Sequence, residues 1–89
     1  MKHTFLSSTD NVLRRRKELA RHVGREFRNI RLSKNLTQSE VARRTFLHPS
    51  TINYIEGGRN LPSLSSLLDL CWFYKVSPNH ILKGVVKFA

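Results

Sequence analysis

The sequence predicts an all-α fold, and three features carry that prediction. Apolar residues between Leu19 and Ile30 recur at spacings of three and four, the period of one helix face. Helix-start signals stand before later apolar runs, at Thr37, at His48-Pro49 and at Ser77-Pro78. Stop signals follow, at Asn35, at Gly57-Gly58 and at Gly84.

Residues 1–9 read as a short arm, and Asp10 offers an N-cap. The proline-free stretch to Lys34 carries Val12, Leu13, Leu19, Ala20, Val23, Phe27 and Ile30 as apolar positions. It reads as two helices with a break near Gly24, because glycine costs ~1 kcal/mol relative to alanine inside a helix. Basic residues are interleaved: Arg14-Arg15-Arg16-Lys17, then Arg21, Arg25, Arg28 and Arg31.

The next element is the best marked. Thr37-Gln38-Ser39-Glu40 is a capping box: the Thr37 hydroxyl accepts from the Glu40 amide, and the Glu40 carboxylate accepts from the Thr37 amide. Leu36 and Val41 are spaced as a hydrophobic staple. A two-turn helix follows and ends near Arg44; alone it is too short to be stable, so it must pack on its neighbours. The second start follows within a few residues. His48 takes the cap position and Pro49 the first helical position, where a missing N–H costs nothing. Two short helices joined this tightly are expected to cross steeply. Ser63 to Tyr74 reads as a further helix with Leu64, Leu67, Leu68, Leu70, Cys71 and Tyr74 mostly inward and Trp72 outward. Ser77-Pro78 opens a last short helix carrying Ile81 and Leu82, and the tail from Val85 to Phe88 is apolar and β-prone.

With 89 residues the chain has the length of one small domain. Sixteen Lys and Arg against six Asp and Glu give a formal charge of +10. That charge favours polyanions: nucleic acid first, an anionic membrane second. Charge alone does not separate the two, but no segment approaches the ~20 apolar residues of a membrane span, and nothing resembles a signal peptide. Cys71 is the single cysteine, inside an apolar run, where core packing is the natural reading; a reducing, cytoplasmic setting fits. Catalysis has little to work with. Acidic residues form no close pair, and His3, His22, His48 and His80 are scattered without metal-site spacing, so no enzyme activity, metal or cofactor is expected.

The segment from Pro49 to Glu56 carries the functional signal. Ile52 and Ile55 point one way, while Ser50, Asn53, Tyr54 and Gly57 fall on the opposite face at helical spacing. That outward stripe is uncharged and rich in hydrogen-bonding groups. Asn pairs with an adenine edge through both donor and acceptor, Ser serves as either, and Tyr stacks or donates. Positive charge surrounds the stripe at Arg43, Arg44 and Arg59. This is the division of labour expected when phosphate contacts position a helix and polar side chains read bases. A plain solvated helix face is the competing reading.

The run Leu36-Thr37-Gln38-Ser39-Glu40-Val41-Ala42, then Ser50 to Arg59, then Pro62-Ser63-Leu64, resembles the lambda-repressor and Cro family (XRE-type) of helix-turn-helix regulators. The resemblance covers roughly Val23 to Leu82. It implies a five-helix, all-α DNA-binding domain over residues 23–83, with a helix-turn-helix at 37–44 and 49–56. A basic N-terminal segment at 1–22 and a tail at 84–89 are left as additions. It also implies sequence-specific binding of double-stranded DNA to regulate transcription, usually as a homodimer on a palindromic operator. By position, Pro49, Ser50 and Tyr54 would face bases, with Asn53 beside them as a further base-reading candidate. Gln38, Thr51, Arg59 and Asn60 would hold the phosphate backbone, with Arg43 added as a phosphate contact by its charge beside the stripe, and Arg31 and Glu56 would form a semi-buried salt bridge. The sequence departs from the family pattern at Phe46, where Gly is common in the turn, at His48 in the cap, at Pro49, and at Lys75 after the fourth helix.

The flanks leave more open. The Arg14–Lys17 run reads as added phosphate contact, with a solvated face or a protein-binding patch as alternatives. Residues 3–6 and 85–88, together with Trp72, are candidates for a dimer interface. Competing functions are a protein-interaction module on the same fold, such as an antitoxin that binds a toxin, and non-specific nucleic-acid binding by charge.

Overall fold

The structure is a computed structural model that describes the backbone of residues 2–85 and the side chains of residues 9–85. Five helices follow one another: α1 (Lys2–Ser33), α2 (Gln38–Thr45), α3 (Pro49–Glu56), α4 (Leu64–Tyr74) and α5 (Pro78–Leu82). No strand occurs among the described residues.

Two expectations about the N-terminal region are corrected. The stretch read as an arm begins in helix at Lys2, and α1 continues without a break through Gly24 to Ser33. A 32-residue helix is about 48 Å long at 1.5 Å per residue, which accounts for the 52 Å longest dimension of the molecule. Only its second half is packed. Residues 9–18 are exposed, whereas Ala20, Val23, Phe27 and Arg31 are buried along one face. The helix ends as Asn35 turns left-handed at φ 57°, and the Leu36 amide donates back to the Arg31 carbonyl at 3.2 Å.

The α2 cap is made from both sides. The Glu40 amide donates to Thr37 Oγ1 at 3.1 Å, and the Thr37 amide donates to Glu40 Oε1 at 2.9 Å. These bonds hold the Glu40 carboxyl below its ordinary value, the backbone bond from Thr37 contributing most. At α3 the His48 ring takes the place of a hydroxyl cap: Nδ1 accepts from the Ser50 amide at 3.1 Å. Ser63 and Ser77 cap α4 and α5 in the usual way, by accepting from the amides of Ser66 and His80.

Every helix supplies the core. Val23 and Phe27 meet Val41 and Ala42, Ile52 and Ile55, Leu70, Cys71 and Tyr74, and Ile81. Each large side chain buried here contributes on the order of 1.5–3 kcal/mol. Burial raises the Cys71 thiol above its ordinary pKa, as suits packing more than chemistry. The α1–α3 contact is unusually close. A Cβ on Gly24 would overlap the carbonyl oxygen of Ile55 and lie 3.0 Å from that of Glu56. At the end of α3, Gly58 (φ 69°) sits against the backbone of Arg21. These two glycines let α3 end directly on α1, which fixes how α3 presents its other face.

The fourth helix meets the expectation for most of its apolar residues and departs from it at two leucines. Leu70, Cys71 and Tyr74 are inward, but Leu64 is 71% exposed and Leu68 45% exposed. The spacing of four places them with Trp72, 86% exposed, along one outward stripe. Six apolar residues cannot all reach the core from one side of an eleven-residue helix.

Candidate nucleic-acid interface

α3 is held by its inner face and by both ends. Ile52 and Ile55 are buried, the His48 cap fixes the start, and the Gly57 amide donates to the Asn53 carbonyl at 2.9 Å near its end. This arrangement leaves Pro49, Ser50, Asn53 and Tyr54 exposed together on the opposite face. Asn60 and Arg59 are exposed beyond the C-terminus of α3, Arg43 is exposed on α2, and Thr51 is half-buried. Ser50, Thr51, Tyr54 and Asn60 line one shallow concavity.

Beneath this face lies an ion pair. Arg31 Nε donates to Glu56 Oε2 at 2.8 Å, and Arg31 Nη2 donates to Glu56 Oε1 at 2.9 Å. The two side chains are 10% and 4% exposed. Arg31 Nη1 also donates to the Leu36 carbonyl at 2.7 Å, so the guanidinium ties α1, the loop before α2, and α3 together. The bond to Glu56 raises the Arg31 pKa further above its already high value, against the opposing effect of burial.

Gln38 joins this pair. Its Nε2 donates to Glu56 Oε1 at 3.1 Å, and its Oε1 accepts from Asn53 Nδ2 at 3.3 Å. Two further side chains on the exposed face are already engaged. Ser50 Oγ lies 2.7 Å from His48 Nδ1, and the Arg59 guanidinium sits 5.6 Å from the centre of the Tyr54 ring. The latter is a cation–π contact that steers the ring.

Sequence reasoning left one residue out of the site. Arg28 lines a second concavity with Gln38, Asn53, Glu56 and Arg59. Its signal was available: it precedes Arg31 by one helical turn on α1. The Arg14–Lys17 run is set apart. On an unbroken helix it lies about 20 Å along the axis from Arg31, at 1.5 Å per residue. The tail residues 86–88 and the side chains of residues 3–6, expected at a dimer interface, lie outside the described residues.

The whole arrangement is an uncharged polar face on a short helix, with Arg28 and Arg59 lining a concavity beside Asn53 and with Arg43 exposed on the neighbouring α2. Among the described residues no helix is long and apolar enough to cross a membrane. A family model described as a helix-turn-helix domain matches residues 22–82. No curated protein and no solved structure matches the chain.

Proposed function

We propose that this chain, which belongs to the helix-turn-helix domain family within the lambda-repressor and Cro-like group, is a sequence-specific regulator of transcription. In this reading it represses by occupying a palindromic operator as a homodimer. One observation carries the proposal: Ser50, Asn53 and Tyr54 share the exposed face of α3, and no Lys or Arg lies between Arg44 and Arg59. A charge-only binder has no reason to keep cations off this exposed face. A helix with its side chains is about 10–12 Å in diameter and the major groove about 12 Å wide, so α3 can lie in the groove with its base-facing side chains at the floor. Arg28, Arg43 and Arg59 then meet phosphates on either side, with Gln38, Thr51 and Asn60 as polar backbone contacts.

The homodimer reading rests on α4. Leu64, Leu68 and Trp72 form an exposed apolar stripe. Residues 60–74 carry no Lys or Arg, and Asp69 is their only charge. Two chains of +10 repel wherever cations face each other; this helix is where they can approach. Antiparallel pairing centred on Leu68 sets Trp72 of one copy opposite Leu64 of the other.

Selection of bound DNA from a random pool tests the function directly. The expected product is a motif with two-fold symmetry and half-sites about one helical turn apart. A pool that stays random contradicts sequence-specific binding.

A further inference from the structure

We infer that Gln38 is a positioning residue for base recognition: it sets which way round the Asn53 amide stands, and so commits Asn53 to adenine. The inference rests on the DNA-binding reading above and goes beyond it, because Gln38 was expected only to hold a phosphate.

The argument runs from charge to geometry. A carboxylate paired with a guanidinium only accepts hydrogen bonds. Glu56 accepts two from Arg31, at 2.8 and 2.9 Å, and a third from Gln38 at 3.1 Å. The Gln38 amide must therefore turn its nitrogen to Glu56, and its oxygen then faces Asn53. An oxygen there requires a donor, so Asn53 turns its Nδ2 inward, at 3.3 Å. Each amide alone could stand either way; the charge of Glu56 removes that choice for both. Asn53 is left with Oδ1 and its second N–H to offer outward.

That pair is the complement of adenine in the major groove, which presents an N6 donor beside an N7 acceptor. Guanine presents two acceptors, O6 and N7, and O6 would oppose Asn53 Oδ1. An unrestrained asparagine could turn to offer its nitrogen to guanine; here that turn breaks the bond to Gln38. Gln38 retains a second N–H, so it can meet a phosphate at the same time.

The test compares wild type, Asn53→Ala and Gln38→Met by competition binding against operators varied one base at a time. Asn53→Ala identifies the position that Asn53 reads, as the one whose preference disappears. Gln38→Met keeps the bulk of the side chain but neither donates nor accepts strongly. It is expected to lower the adenine-over-guanine preference at that position at least ten-fold, with the other positions unchanged. In the free protein, the NMR resonances of the Asn53 side-chain amide are expected to shift in Gln38→Met. A uniform loss across all operators, with the preference intact, overturns the inference while leaving the proposed function standing. So does a pair of Asn53 amide resonances that do not move. A wild type with no base preference at any position overturns both.

Discussion

Gly24 of α1 lies so close to Ile55 of α3 that no other residue fits between the two backbones. The glycine is a contact and not a helix break. Gly24→Ala should therefore destabilise the protein, although alanine is the better helix former by about 1 kcal/mol. The obstacle is backbone carbonyl oxygen, which cannot rotate away, so a net loss of about 2 kcal/mol is expected. Urea unfolding followed by circular dichroism measures it; equal or greater stability would mean that the helices are not so closely packed.

The Arg31–Glu56 pair should behave as a unit. Removing either partner leaves a charge in a largely buried place, at a cost of about 3–5 kcal/mol. Arg31→Met and Glu56→Met together should cost clearly less than the sum of the single changes. A double-mutant cycle with no coupling would contradict the ion pair.

Phe46 ends α2 at φ 61° and is 96% exposed. A side chain in this left-handed conformation costs about 1–2 kcal/mol, and Phe46 regains little of it by packing. Phe46→Gly should raise the melting temperature, while Phe46→Ala, which keeps a Cβ, should not. Equal effects of the two changes would show that backbone strain is not the cause.

Tyr74 is buried in the core, and its hydroxyl has no hydrogen-bond partner among the described residues. Leaving a buried hydroxyl unpaired costs about 1–3 kcal/mol, so Tyr74→Phe should raise stability by about 1 kcal/mol. Burial also pushes the phenol up to about 12, with the negative Glu56 acting in the same direction. The unfolded phenol ionises near pH 10. Stability from this group is therefore complete below pH 10 and is lost as the pH climbs towards 12, where only the unfolded chain releases its proton. Tyr74→Phe should show a shallower alkaline decline; an unchanged decline would place its cause elsewhere.

Trp72→Glu tests the proposed α4 interface without touching the core. The residue is 86% exposed, so the fold should persist with an unchanged helical spectrum. Sedimentation equilibrium should show the dimer dissociation constant rising at least ten-fold. A wild type that stays monomeric, or a variant that dimerises equally, rules out this face.

The short helices were the most legible part of the sequence, because their ends are marked by residues acting locally. Thr37 with Glu40 set the start of α2, and His48 with Pro49 set the start of α3. Long-range contacts were not legible. The value of Gly24 depends on Ile55, thirty-one positions away, whereas its helix propensity is local and pointed the other way. On α4 the outward position of Leu64 and Leu68 was not legible for a related reason: a leucine-rich run fixes a helix but not which leucines meet the core. In the site, the exposed stripe of α3 followed from spacing alone. The Glu56–Gln38–Asn53 chain could not, since it joins α2 and α3 through side-chain geometry.

The central claim is that α3 reads bases while the surrounding arginines supply affinity. Competition between the selected operator and random DNA of equal length, at one fixed salt concentration, tests it most directly. A preference for the operator of ~10³ or more is expected. Equal affinity for the two would contradict the account and leave charge as the whole of the binding.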